Sequence, residues 1–520
     1  MRKAKERKAS QMSRRTFLKT AGLAGVGVAA FGSMSGKAPA NAAGPKQIVI
    51  SMTSDAVTLD PPMQSDSSSQ VAVFNIYDQL MHFNDKFEPE PRLATAWKQL
   101  DPVTYRFTLR KGVTFHNGEP FDARTVKFSF DRAVDPNLKS LVATRLAFIK
   151  EAKVLDDYTV ELVGKEPYAP FLYMLSYYLS IVPPNALKQM GDVKFAQAGI
   201  GTGPYRVVRW VKDQVLELDA NPNYWAGAPR IQRVIFRPIP EDSARVAALL
   251  TGESDIIFAV PPDRWKEIQQ DKNTRITARA GVQPYMGLDT FHPPFDDVRV
   301  RRALNHAIDV NTIINKTLLG TADRMSSPIF KSALGYNPNL PPYSYDPALA
   351  KKLLAEAGYP NGFETTLSTL PAQEGASNML EVAQAVAYQL DQIGVKVKID
   401  TLEPATLFAR YSGRQFKMYF YTWQETPEPD RFLFTLFHSK ARGFYYKNPE
   451  VDKLIERGRT TFNLEERRKV YESLGQYLHD DAPWVFLYNQ KSGYGVRRDV
   501  KWEAPWDNAF VLVNEMDVSR

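Results

Sequence analysis

No cysteine occurs at any of the 520 positions, so whatever this chain folds into must be held together by its core alone. Disulfide staples, thiolate metal sites, iron–sulfur clusters and a cysteine nucleophile are excluded at once. With 44% hydrophobic and 12% aromatic residues the chain has material for such a core. Its length exceeds one ordinary core, which predicts two lobes.

The N-terminus gives the missing cysteine a second meaning. Arg2, Lys3, Lys5, Arg7 and Lys8 precede Ser13-Arg14-Arg15-Thr16-Phe17-Leu18-Lys19, and eleven residues dominated by Ala, Gly and Val follow from Ala21 to Phe31. Small-x-small sites stand at Ala38-Pro39-Ala40 and Ala40-Asn41-Ala42. A basic, apolar, then small-residue order is a signal peptide, here residues 1–42 with cleavage expected near 40–43. The apolar stretch is about half of the roughly 20 residues that a membrane span needs. The paired arginines followed by Phe-Leu-Lys resemble the twin-arginine export motif, which implies delivery of a folded chain to the periplasm. An N-terminal lipid anchor requires a cysteine at the cleavage site, so no direct membrane anchor is expected.

The same leader explains the formal charge of +8. Its first 40 residues hold nine Lys or Arg against one acid, Glu6, which accounts for all of it. The remainder is neutral and lacks the basic footprint of a nucleic-acid partner.

Along the rest of the chain, Tyr105, Phe107 and Leu109 alternate with Arg106, Thr108 and Arg110 as a strand does. The glycines of Gly199-Ile200-Gly201-Thr202-Gly203 precede a strand-like Tyr205-Arg206-Val207-Val208, whereas a phosphate-binding loop would open a helix. They are expected to form a turn. After about Gln283 helices and strands alternate. Asp297 and Asp346-Pro347 start helices, and a third, roughly Met379 to Ile393, ends at Gly394 before the strand Val395-Lys396-Val397-Lys398-Ile399. This is the pattern of an open α/β sheet.

Four segments resemble the large extracytoplasmic solute-binding proteins of ABC importers, in the dipeptide, oligopeptide and nickel-binding family (family 5). They are Leu93-Ala94-Thr95-Ala96-Trp97 with Tyr105 to Pro120; Gly201-Thr202-Gly203-Pro204-Tyr205 with Asn221-Pro222-Asn223-Tyr224-Trp225; Phe295 to Asp309; and Tyr345 to Gly358. Together they span nearly the whole mature sequence in the family's order. The resemblance implies an α/β, two-lobed periplasmic-binding-protein fold, large and type II-like, with an extra β-rich subdomain in the first lobe. Residues 43–283 form lobe I, with the subdomain at about 66–200; residues 284–487 form lobe II; residues 488–520 return to lobe I. It also implies a peptide or peptide-like solute, enclosed by hinge closure and handed to the transmembrane subunits of an ABC permease by a monomer without cofactor or metal.

The site residues follow from the same resemblance. Family members run one segment along the bound peptide, and by count it falls on Ser65, Asp66 and Ser67; an ordinary helix-capping loop is the alternative. Peptide-binding relatives also carry a tryptophan followed three residues later by an aspartate that neutralises the peptide's amino terminus. Here Trp423 matches, next to Tyr421 on the strand Met418 to Trp423, but the third residue on is Thr426 and the nearest acid is Glu425. Either Glu425 takes the amine-binding role after a slip of one residue, or the ligand has no free α-amine. Tyr285 at the start of lobe II, Phe408 as an apolar wall and Arg414 as a carboxylate partner complete the candidates, against ordinary packing for the first two and a surface arginine for the third. Non-peptide solutes such as a sugar, an opine-like compound or a metal chelate remain alternatives, the chelate with His438 as its candidate partner. His116 and His306 read as structural. An exported cofactor enzyme is the rival of another class, but no Gly-x-Ser-x-Gly elbow, His-Glu-x-x-His helix or phosphate-binding lysine loop is present.

Overall fold

The computed structural model describes residues 46–519 apart from 65, 85–86, 374, 377, 442–444 and 506–509. The expected signal peptide lies outside the described residues.

A twelve-stranded sheet runs through the molecule. At one end the parallel strands Val395–Thr401 and Phe363–Thr369 are joined through the helix Met379–Asp391, and Met418–Gln424 continues the sheet in parallel. Two long antiparallel strands, Thr274–Leu288 and Tyr488–Arg497, then form its middle. Beyond them lie Ile256–Ile257, Gln47–Met52, Arg233–Pro238, Val215–Ala220 and Tyr205–Val211. The two middle strands therefore carry the chain out of one lobe and back into it. Their ladder is irregular between Arg279 and Val282. Gly281 sits in this bulge, where a Cβ would come within 2.1 Å of the Gln490 carbonyl oxygen, so only glycine lets the strands meet.

Packing divides along the same line. One apolar core gathers residues from Val282 to Tyr488, among them Val300, Leu304, Val382, Val386 and Leu390. Its helices start as their sequences require: Asp297 accepts a hydrogen bond from the Arg299 amide and Asp346 from that of Leu349. A second core lies in the four-stranded antiparallel sheet Ala94–Gln99, Thr104–Leu109, Thr159–Gly164 and Ile149–Asp156, with Tyr105, Phe107 and Leu109 turned inward. A third combines Ile48 and Ile50 with Val496, Val511 and Val518. Thus the chain's last residues complete a core begun by its first strand. Asn75 ties this closure: its side-chain amide donates to the Val511 carbonyl at 2.8 Å and accepts from the Val513 amide at 2.9 Å.

Several residues that carry the family resemblance converge on one buried carboxylate. Asp78 accepts from Tyr224 Oη at 3.0 Å, Trp225 Nε1 at 2.9 Å and Thr202 Oγ1 at 3.0 Å, with Arg92 at 3.6 Å. Gly203 passes so close to Ile76 that a Cβ would lie 2.6 Å from its carbonyl oxygen. The glycine loop is thus a tight backbone crossing leading into the strand Tyr205–Val211. His116 is held in the same place, its two ring nitrogens bonded to the Gly203 carbonyl and the Gly201 amide. Burial lowers its pKa to about 4, so it is neutral and structural.

Candidate functional site

A cavity of about 990 Å³ opens beside the two crossing strands, with walls from both lobes. That is the upper end of the roughly 300–1,000 Å³ usual for small-molecule sites. The strand Met418–Gln424 pairs antiparallel with the first crossing strand, placing Tyr421 opposite Tyr285 and Trp423 opposite Gln283. Because side chains alternate along a strand, Tyr421 and Trp423 share a face; both are half-buried and both line the cavity.

Beyond Gln424 the chain turns and brings three acids together. Glu425 exchanges backbone and side-chain bonds with the bulge: its amide donates to the Gly281 carbonyl at 2.9 Å, and its Oε2 accepts from the Gly281 amide at 3.2 Å. Ser332 Oγ donates to Oε1 at 2.6 Å. The residue is 8% exposed, and among the described residues no cation pairs with it. Burial holds its carboxyl above the usual range. Glu428 is paired bidentately with Arg467, at 2.6 and 2.8 Å, and both are buried. Asp430 accepts from Tyr168 Oη at 2.7 Å and lies 3.3 Å from Arg459. Its bond to Tyr168 crosses between the lobes, as do those of Arg431 to Tyr178 at 2.7 Å and of Thr426 to Tyr173 at 3.1 Å.

Among the residues expected to bind solute, the structure brings Ser67, Tyr285, Phe408, Tyr421, Trp423 and Glu425 to this cavity. Ser65 lies outside the described residues. Asp66 is not on the wall: it caps the helix Ser67–Ile76 by accepting from the Ser69 amide at 2.8 Å. Arg414 is not on the wall either; it occupies the left-handed turn after the helix Pro404–Ser412, at φ +54°. Tyr285 lines the cavity but is fully buried and stacks on Trp484 at 4.1 Å, so it is a wall packed from behind. Phe408, expected as an apolar wall with ordinary packing as the alternative, is 58% exposed and lies on the cavity wall. His438 is buried away from the cavity, beside Glu456.

Sequence reasoning missed the lobe I wall of Tyr173, Met174 and Tyr177, and it missed Arg431. The helix Phe171–Tyr178 is buried along nearly its whole length, so nothing in its pattern distinguishes a cavity face from a core face. Arg431 did leave a signal: it is a cation in the first turn of the helix Asp430–Phe437, where the helix dipole disfavours it.

The profile described as "Bacterial extracellular solute-binding proteins, family 5 Middle" matches residues 88–444. The chain belongs to this family. The glutathione-binding protein GsiB of Pectobacterium atrosepticum is 31% identical over 463 residues, covering 86% of this chain and 89% of that protein. Among solved structures, the ABC transporter-associated periplasmic binding protein DppA of Helicobacter pylori, in complex with the peptide STSA, superposes with a TM-score of 0.76 at 31% identity. The match covers 92% of this chain and 99% of DppA. HbpA2 of Haemophilus parasuis gives 0.83 at 28% identity, over 91% and 99%. Family 5 membership carries with it the two-lobed α/β solute-binding fold, and no helix among the described residues is long and apolar enough to cross a membrane.

Proposed function

We propose that the protein captures a peptide or peptide-like solute with a free amine in the 990 Å³ cavity, closes around it, and delivers it to an ABC permease. The observation that carries the reading is Glu425. A buried carboxylate satisfied only by neutral donors is costly to ionise, and a solute ammonium would supply the missing counter-charge. Trp423 and Tyr421 beside it offer apolar and aromatic wall to a side chain or peptide plane. The relatives named for glutathione, and the one solved with STSA, support the solute class. The twin-arginine leader supports periplasmic delivery of the folded chain, and the solute role assigned to Ser67 rests on its place at the cavity wall.

Protein purified from its native periplasm and analysed by mass spectrometry after denaturation is expected to release a peptide-like amine. Titrating that solute back should give one site per chain. Release of no such solute, together with no binding of di- to tetrapeptides or glutathione, would overturn the reading.

A further inference from the structure

Ala259 stands on the lobe I wall of the cavity in a conformation that alanine rarely adopts. Its φ is +50°, in the left-handed region where a Cβ crowds the backbone and glycine is the usual occupant. Such an outlier persists only where the surroundings impose it. The segment leaves the short strand Ile256–Ile257, and both neighbours of Ala259 are tied by their amides, Phe258 to the Ser51 carbonyl at 3.0 Å and Val260 to that of Gly493 at 2.9 Å.

The conformation itself is imposed by Arg245. This residue lies on the helix Asp242–Thr251 and is 1% exposed. Its Nε donates to the Phe258 carbonyl at 2.8 Å and its Nη2 to the Ala259 carbonyl at 3.0 Å. Those carbonyls belong to the two peptide planes that flank the Ala259 Cα, and the backbone turns only between such planes. Holding both therefore sets φ and ψ. Nη1 is bonded in turn to the Ile239 carbonyl at 2.8 Å, so every arm of the rigid guanidinium fork is anchored.

Fixing the planes also aims a donor. The Phe258–Ala259 peptide is trans, and in a trans peptide the N–H points opposite to the C=O. Because the Phe258 carbonyl faces Arg245, the Ala259 amide faces away from it. Among the described residues this amide has no acceptor, and Ala259 is half-buried beside the cavity.

We propose that Arg245 is a positioning residue for the solute: it holds Ala259 in the left-handed conformation and thereby presents the Ala259 amide as a fixed donor to a carbonyl oxygen of the solute. The inference rests on the reading of the cavity as the solute site. Glu425 stands in lobe II and Ala259 in lobe I, so a solute that gives its amine to the first and a carbonyl to the second binds the closed form better than the open one. Arg245 acts in this only through the backbone it holds.

The test incubates solute-stripped protein with pooled tripeptides bearing free amino termini and quantifies the retained peptide by mass spectrometry. Arg245→Gln should retain about tenfold less than wild type. Adding Ala259→Gly to that variant should recover most of the loss, because glycine takes a positive φ without an arginine to impose it. A double variant no better than Arg245→Gln overturns the proposal, since an arginine that merely braced lobe I would not be relieved at Ala259. Unchanged retention in Arg245→Gln overturns it as well, and the peptide reading stands. If Arg245→Gln does not fold, Ala259→Pro decides: proline removes the amide and fixes φ at about −65°, so retention should again fall about tenfold, and retention equal to wild type overturns the donor. Retention of no tripeptide by the wild type overturns the peptide reading instead. Arg245 is then judged by a crystal structure of Arg245→Gln, in which Ala259 should leave the left-handed region; an Ala259 still at positive φ overturns the hold assigned to Arg245.

Discussion

Glu425 and Glu428 are three residues apart, both reach the same cavity and both are nearly excluded from solvent, yet they face opposite electrostatic situations. Glu428 meets the fork of Arg467, itself fixed to the Gly458 carbonyl and Tyr471 Oη, so its charge is cancelled within lobe II. Glu425 meets an amide and a hydroxyl. The first arrangement is complete without a ligand and serves architecture. The second has no cation beside it among the described residues, and under the proposed function a solute ammonium would complete it. Asp430, two residues further on, is a third case: its partners are split between Arg459 in its own lobe and Tyr168 across the cleft. Identical chemistry along six residues thus meets a cation, neutral donors or a split set of partners, according to what stands opposite each carboxylate.

Breaking the complete pair should have the largest effect. Arg467→Met leaves Glu428 buried and unpaired and is expected to destabilise the fold by about 3–5 kcal/mol, read by chemical denaturation. If stability hardly changed, Glu428 would have to find solvent or another cation, and the contrast with Glu425 would fail. Glu425→Gln should do the reverse. Affinity for an amine-bearing peptide falls by about 1.5–3 kcal/mol, roughly ten- to hundredfold, measured calorimetrically, while the solute-free protein melts no lower than wild type at neutral pH. The sign follows from the raised carboxyl pKa. The favourable state of this group is present below its unfolded value and is lost as pH rises through the folded one. Any melting advantage of the Gln variant should therefore shrink as pH falls through the Glu425 pKa, which lies above the ordinary 4.5.

Tyr168→Phe sharpens the third case. Asp430 keeps Arg459 but loses its cross-lobe donor, so the closed form should weaken by about 1 kcal/mol and the radius of gyration of solute-loaded protein should increase, with intrinsic lobe stability unaltered. Smallest of all is Arg414→Gly. It leaves a left-handed turn that glycine occupies readily and removes a side chain away from the cavity, so both affinity and stability should move by less than about 0.5 kcal/mol.

Much of the scaffold was legible because it obeys local rules. Asp297 and Asp346 cap as such residues do, and the alternation Tyr105-Phe107-Leu109 faces its core. The family segments were readable for the same reason, since Tyr224, Trp225 and Thr202 serve a buried carboxylate rather than a solute. The cavity wall was legible where a strand fixed the geometry, as at Tyr421 and Trp423. It was not where a loop residue had a local use: Asp66 is consumed by a helix terminus, and Arg414 serves a left-handed turn off the cavity wall. Arg431 left a mark as a cation in the first turn of its helix, but its contact with Tyr178, distant in the sequence, exists only in the fold.

The closure of lobe I by the C-terminal segment also sets a schedule. Asn75 waits for Val511 and Val513, and the sheet holding Gln47–Met52 waits, through Ile256–Ile257, for the strand Tyr488–Arg497. At about 5–20 residues per second, tens of seconds separate the emergence of the leader from that of the residues its lobe needs. Under the proposed twin-arginine route the address is therefore on display long before there is a parcel to send. Export of a finished receptor requires that recognition of Arg14-Arg15 be slower than synthesis, or be withheld until Val518 has docked.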